Sequence, residues 1–123
     1  MKVVSRKQED VVILDLDGPL TAGVGDEALR ENINSHLVEG ARKILINLSG
    51  VSRIDSTGIG QLVASIKTAG RFGSAIKLVK INTKVHHILN LSKLLPLLDF
   101  YEAEEDALES FRNEDTPSES LFD

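Results

Sequence analysis

The stretch INLSGVSRIDSTGIGQLVASIKTA, residues Ile46 to Ala69, changes its hydrophobic period part-way along. Ile44, Leu45, Ile46 and Leu48 form a nearly continuous apolar run, the pattern of a strand covered on both faces, and it is expected to stop at Ser49 and Gly50. Beyond Asp55, Ser56, Thr57 and Gly58 the positions Ile59, Leu62, Val63, Ile66 and Ala69 step by three and four, which predicts an amphipathic helix reaching about Gly70. The segment Ser49 to Gly60 therefore lies between a strand and a helix. It packs hydroxyls, a carboxylate and glycines into the kind of junction where α/β proteins place their sites.

The same alternation extends in both directions. Val3 to Ser5 and Val11 to Leu16 read as two short strands with the charged cluster Arg6 to Asp10 as a hairpin turn, the second ending at Asp17, Gly18 and Pro19. Ala28, Leu29, Ile33 and Leu37 recur at helical spacing between Asp26 and Val38, with acids in the first turn and Gly40 as the stop. Ala75 to Ile81 is a further strand, which Lys77 and Lys80 make less enclosed. Val85, Ile88 and Leu89 mark a helix halted before Pro96. Leu97 to Tyr101 is a last strand, and Ala107, Leu108 and Phe111 share one face of a final helix. Strands and helices in repetition predict an α/β fold with parallel strands and crossover helices. One domain is expected over residues 1–112, and residues 113–123, NEDTPSESLFD after Arg112, read as a flexible acidic tail.

Composition narrows the function. The chain has 123 residues, 41% of them hydrophobic and 27% charged, enough for a single unassisted core. With no cysteine, disulfide scaffolds, thiolate metal sites and thiol catalysis are excluded. The net charge of -5 is unevenly spread: from Asp99 onward there are 10 acids and 1 base, whereas Met1 to Leu98 has 9 acids and 13 bases. No basic cluster or aromatic platform suits direct nucleic-acid binding. No apolar stretch is long enough to span a membrane, and MKVVSRKQEDVV lacks the apolar core of a secretory signal. A cytoplasmic protein is expected.

Four readings compete for the junction. A dinucleotide fingerprint would need a glycine where Val63 stands and an acid near Lys80 to Asn82, and a phosphate-binding P-loop would need a Gly-Lys-Ser or Gly-Lys-Thr triplet that the chain does not have. Nucleophilic catalysis by Ser56 would need a base within reach, yet His36, His86 and His87 fall on the outer parts of helices. No enzyme is expected. In the fourth reading Ser56 is an exposed acceptor of a phosphate at a helix N-terminus, and its plain counterpart is a Ser56 that only caps the helix. Physics alone favours the cap. Gly58 and Gly60 either admit a partner close to the backbone or relieve a crowded turn, and Ile59 is either a contact or core. Thr57 is a second candidate acceptor. His86 and His87 are adjacent and face apart, so no metal is expected, and no feature calls for a cofactor. Thr116, Ser118 and Ser120 are hydroxyls of the kind flexible tails contain.

Asp55, Ser56, Thr57, Gly58, Ile59 and Gly60 resemble, at every position, the central motif of the STAS domain family as found in bacterial anti-sigma factor antagonists. The resemblance runs from about Val3 to Phe111, through Gly18 and Leu20 and the Val85, Leu89, Leu94 series. It implies a mixed, mostly parallel sheet of about five short strands with an antiparallel first strand. About four helices, gathered largely on one side, complete successive βα turns. It also implies a partner switch: the protein binds an anti-sigma factor that is a serine kinase of the GHKL type and so frees the sigma factor. Phosphorylation of the serine corresponding to Ser56 ends the binding, and a PPM-type phosphatase resets it. The partner surface implied comprises Thr21, Asp55, Ser56, Thr57, Gly58, Ile59 and Gly60. Two positions depart from the pattern: Asn47, where many relatives have Asp, and Thr21, where many have an acid. The alternative is a structural subunit of a stressosome-like assembly.

Overall fold

A computed structural model describes residues 1–115. In chain order the elements are β1 (Lys2–Gln8), β2 (Val11–Leu20), α1 (Gly25–Val38), β3 (Lys43–Ile54), α2 (Ser56–Arg71), β4 (Ala75–Val79), α3 (Thr83–Leu91), a 3-10 turn (Leu95–Leu97), β5 (Phe100–Tyr101) and α4 (Glu104–Asp115). They build one sheet in the order β1-β2-β3-β4-β5, with β1 antiparallel to β2 and every later pair parallel. From β2 on, each parallel strand is laid down beside the last in the same direction. Crossovers of one hand then put α1, α2 and α3 on the same face.

That face carries the larger core, where Leu14, Leu16, Ile44, Ile46, Leu48 and Leu78 meet Leu29 and Ile33 of α1, Leu62 of α2, and Val85 and Leu89 of α3. α4, which follows β5, covers the other face. There Ala107, Leu108 and Phe111 pack on Val11, Ile13, Leu45 and Val79. Alternate residues of one strand thus serve two cores, as period-two geometry requires. α1 ends as expected at Gly40, whose φ is 96°. The N–H of Ala41 reaches the His36 carbonyl and that of Gly40 the Leu37 carbonyl, the bond pair of a Schellman motif.

Several readings of the sequence need correction. β3 does not stop at Ser49 and Gly50 but runs on to Ile54, and β2 continues through Gly18 to Leu20. Register shifts between Asp15 and Asp17 and between Gly18 and Leu20 put an extra β3 residue at each place, so the alternation slips and Val51 and Ile54 still turn inward. Gly50 permits this, because a Cβ there would stand 2.5 Å from the Leu16 carbonyl oxygen. β4 is not the less enclosed strand: Lys77 is 1% exposed and the strand ends at Val79. The hairpin turn is shorter than Arg6 to Asp10, since β1 extends to Gln8, and the last strand is only Phe100–Tyr101. α4 reaches Asp115, three residues into the stretch read as tail. The rest of that stretch, with Thr116, Ser118 and Ser120, lies outside the described residues.

Candidate functional site

At the carboxyl end of β3 a single residue, Asp55, separates the strand from α2. Its backbone is extended, with φ -116° and ψ -177°, and its side chain caps the helix: the Gly58 N–H donates to Asp55 Oδ1 at 2.8 Å. Ser56 is therefore not the cap. Asp55 takes that role because its carboxylate, one residue earlier, spans the three-residue gap to Gly58 that an N-cap needs. Ser56 becomes the first helical residue, and its side chain and that of Thr57 are exposed. α2 has no acid in its first turn, so its positive end is offset only by the cap.

The second carboxylate oxygen reaches across to another element. The Ala22 N–H donates to Asp55 Oδ2 at 3.0 Å, which draws the loop after β2 against the start of α2. Hydrogen bonds from the Ala22 and Gly58 N–H groups hold the Asp55 carboxyl below the ordinary aspartate range. At the base of the same junction Gly58 is buried, and a Cβ on it would overlap the Leu20 carbonyl oxygen. A crowded strand-to-helix turn is what requires glycine here. Gly60, two residues further along α2, is exposed with open space where a Cβ would lie.

The structure thus gathers Thr21, Asp55, Ser56, Thr57 and Gly58 at one end of the sheet. Thr21 is half-buried, and its carbonyl accepts from the Asp26 N–H at 3.1 Å. Ile59 is half-buried and packs against the larger core, so its side chain is not a free contact. Asn47 belongs elsewhere: its Nδ2 donates to Asp15 Oδ1 at 2.8 Å, on the side of β2 where Arg6 joins Asp15 to Glu104 of α4. His86 and His87 are exposed on α3, and His86 sits edge-on to Phe100, 6.1 Å between ring centres. Among the described residues no group of three or more His, Asp or Glu side chains could hold a metal ion, and no helix is long and apolar enough to cross a membrane.

Two residues escaped the sequence reading. Ala22 supplies the N–H that Asp55 holds, and Val24, 70% exposed, stands on the same loop just before α1. The clustering of glycines between Gly18 and Gly25 around a lone valine was the available sign of a shaped loop.

Comparison with known proteins fits this geometry to a family. A family model described as STAS domain matches residues 2–107. The chain belongs to the STAS domain family. A STAS relative from Thermotoga neapolitana, assigned by name to the anti-sigma factor antagonists, is 32% identical over 101 residues, 82% of this chain and 89% of that one. The crystal structure of a similarly named Thermotoga maritima protein has a TM-score of 0.81 at 29% identity, covering 89% of this chain and 94% of that one. The Bacillus cell fate determinant SpoIIAA in its phosphorylated form has a TM-score of 0.68 at 21% identity, over 89% of this chain and 99% of its own, a likeness of STAS fold.

Proposed function

We propose that this STAS protein is an anti-sigma factor antagonist, a cytoplasmic binding module that captures an anti-sigma factor and is switched off by phosphorylation of Ser56. The observation that carries the proposal is the first turn of α2, where Asp55 takes over the cap and leaves the Ser56 side chain exposed. The names borne by its relatives, and the existence of SpoIIAA in a phosphorylated form, support the same reading. The partner is then a serine kinase of the GHKL type, and a PPM-type phosphatase removes the phosphate.

Charge explains how such a switch works without refolding. A phosphate on Ser56 brings about -1.5 to -2 charge to a helix N-terminus that tolerates an anion by roughly 0.3 to 1 kcal/mol. In a complex that charge, with Asp55 beside it, must leave water against the partner. An imperfectly paired buried charge costs several kcal/mol. Even about 3 kcal/mol weakens binding by roughly a hundredfold.

The test is direct. The protein is incubated with ATP and an anti-sigma factor kinase of the GHKL type from the same cell, and intact mass is measured for the wild type and Ser56→Ala. A gain of one phosphate by the wild type and none by the variant is expected. No gain in the wild type, or an equal gain in both, overturns the proposal.

A further inference from the structure

Capping by itself does not explain why residue 55 is an aspartate. Asparagine, serine and aspartate cap helices about equally well, and one acceptor oxygen suffices for the Gly58 N–H. A carboxylate has two acceptor oxygens, whereas an amide side chain has one oxygen and a nitrogen that only donates. Asp55 uses both, on donors 36 positions apart in the chain: Oδ1 on Gly58 at 2.8 Å and Oδ2 on Ala22 at 3.0 Å.

The loop that it reaches is anchored firmly at its ends and lightly at its tip. Gly25 is seated against the Pro19 carbonyl and Gly58 against the Leu20 carbonyl, both too tightly for a Cβ. Between these anchors Ala22, Gly23 and Val24 are exposed, and Gly23 has a φ of 101° that other residues rarely adopt. The bond from Ala22 to Asp55 is what ties the tip to α2. Val24, whose carbonyl accepts from the Ala28 N–H of α1 at 3.0 Å, is thereby joined through the loop to the start of α2 as well.

The geometry points to Asp55 as a positioning residue, which clamps the Thr21–Val24 loop to the start of α2 so that a partner meets Val24 and Ser56 as one preformed surface. This rests on the binding role proposed above for that surface. It assigns Asp55 a task inside the molecule, with its carboxylate spent on two backbone N–H groups, and makes the loop tip the part that recognises the partner. Preformed surfaces bind more tightly because less ordering is left to do on association.

The test compares wild type, Asp55→Asn and Ala22→Pro as full chains. Asp55→Asn keeps the cap and loses the clamp, so the Ala22 amide is expected to exchange with solvent about tenfold faster, the factor one net hydrogen bond is worth, while the Gly58 amide stays within about threefold. Ala22→Pro removes the donor and leaves the carboxylate in place. If the clamp matters, both variants lose about tenfold in kcat/KM for phosphorylation by the kinase, and the double variant is no worse than either. Unchanged exchange at Ala22 in Asp55→Asn overturns the proposal. So does wild-type phosphorylation of Ala22→Pro with a loss in Asp55→Asn, which would make the carboxylate a direct contact. If the wild type takes no phosphate, the antagonist reading fails, and the exchange result, which needs only Asp55→Asn, still decides the clamp.

Discussion

Lys77 shows how far a single residue can depart from its usual place. Its side chain is 2% exposed, yet Nζ donates to Asp99 at 2.7 Å, to Glu114 at 2.6 Å and to Ser110 at 3.0 Å, and it stands 5.0 Å from the centre of the Phe111 ring and 5.6 Å from that of Tyr101. Burial alone would lower its pKa, and the hydrogen bonds to Asp99 and Glu114 outweigh that, so the ammonium stays charged. Asp99 and Glu114 are each about half exposed and can return to water if the lysine is lost. Lys77→Met, which fills the space without a charge, is therefore expected to change stability by no more than about 1 kcal/mol. Lys77→Ala leaves a hole and should cost about 3 kcal/mol. Urea denaturation of the two variants measures the difference. The glycines of the site give a second contrast. Gly58→Ala drives a methyl into the Leu20 carbonyl and should destabilise by about 3 kcal/mol, whereas Gly60→Ala meets open space in a helix and should stabilise by about 0.5 to 1 kcal/mol. If Gly60 is where the proposed partner's backbone approaches, that same variant binds the anti-sigma factor more weakly despite its higher melting temperature.

Among the elements, α4 depends most on charge. Arg6 of β1 binds Asp15 of β2 and Glu104 of α4, Lys77 of β4 binds Glu114, and Arg112 reaches back to Glu9. The Arg6 guanidinium holds the carboxyls of Asp15 and Glu104 below their usual range. Burial would raise that of Asp99, but Lys77 and the Tyr101 hydroxyl outweigh it. Carboxyls depressed in the folded state contribute stability that is fully present above their unfolded values, near pH 4, and is lost as pH falls through the lower folded ones. Because these groups are partly in water, about 1 to 2 kcal/mol in all is expected to disappear between about pH 5 and pH 2. The loss should show as faster amide exchange in α4 before α1, α2 or α3. The existence of α4 was legible from Ala107, Leu108 and Phe111, which share one face at helical spacing, and all three are buried. The full length of β3 was not. Its alternation slips at each bulge, and a slipped period looks locally like the end of a strand. Lys77 hid β4's enclosure for a related reason: a charge buried by distant partners carries no local mark of them.

For the whole molecule, the uneven charge along the chain becomes a contact between its two ends. Asp99, Glu104 and Glu114, from the acid-rich final segment, are placed on Arg6 and Lys77 of the basic body. Part of the basic surplus is thereby neutralised within the fold. Raising salt to about 1 M screens the exposed pairs, and a modest fall in stability, within about 1 kcal/mol, is expected in calorimetry. Periods of two and about 3.6, and the glycine and acid positions at helix ends, are local properties, so the sequence by itself determined the alternation of strands and helices and placed the candidate segment between β3 and α2. It also determined that a hydroxyl-bearing motif opens α2. Which residue caps that helix, which loop lies against it and which carboxylates neutralise Lys77 were decided only in the tertiary structure. Those contacts join Asp55 to Ala22 and Lys77 to Asp99 and Glu114, pairs 22 to 37 residues apart. Such pairs form only after the sheet has brought distant segments together, and no period along the chain encodes them.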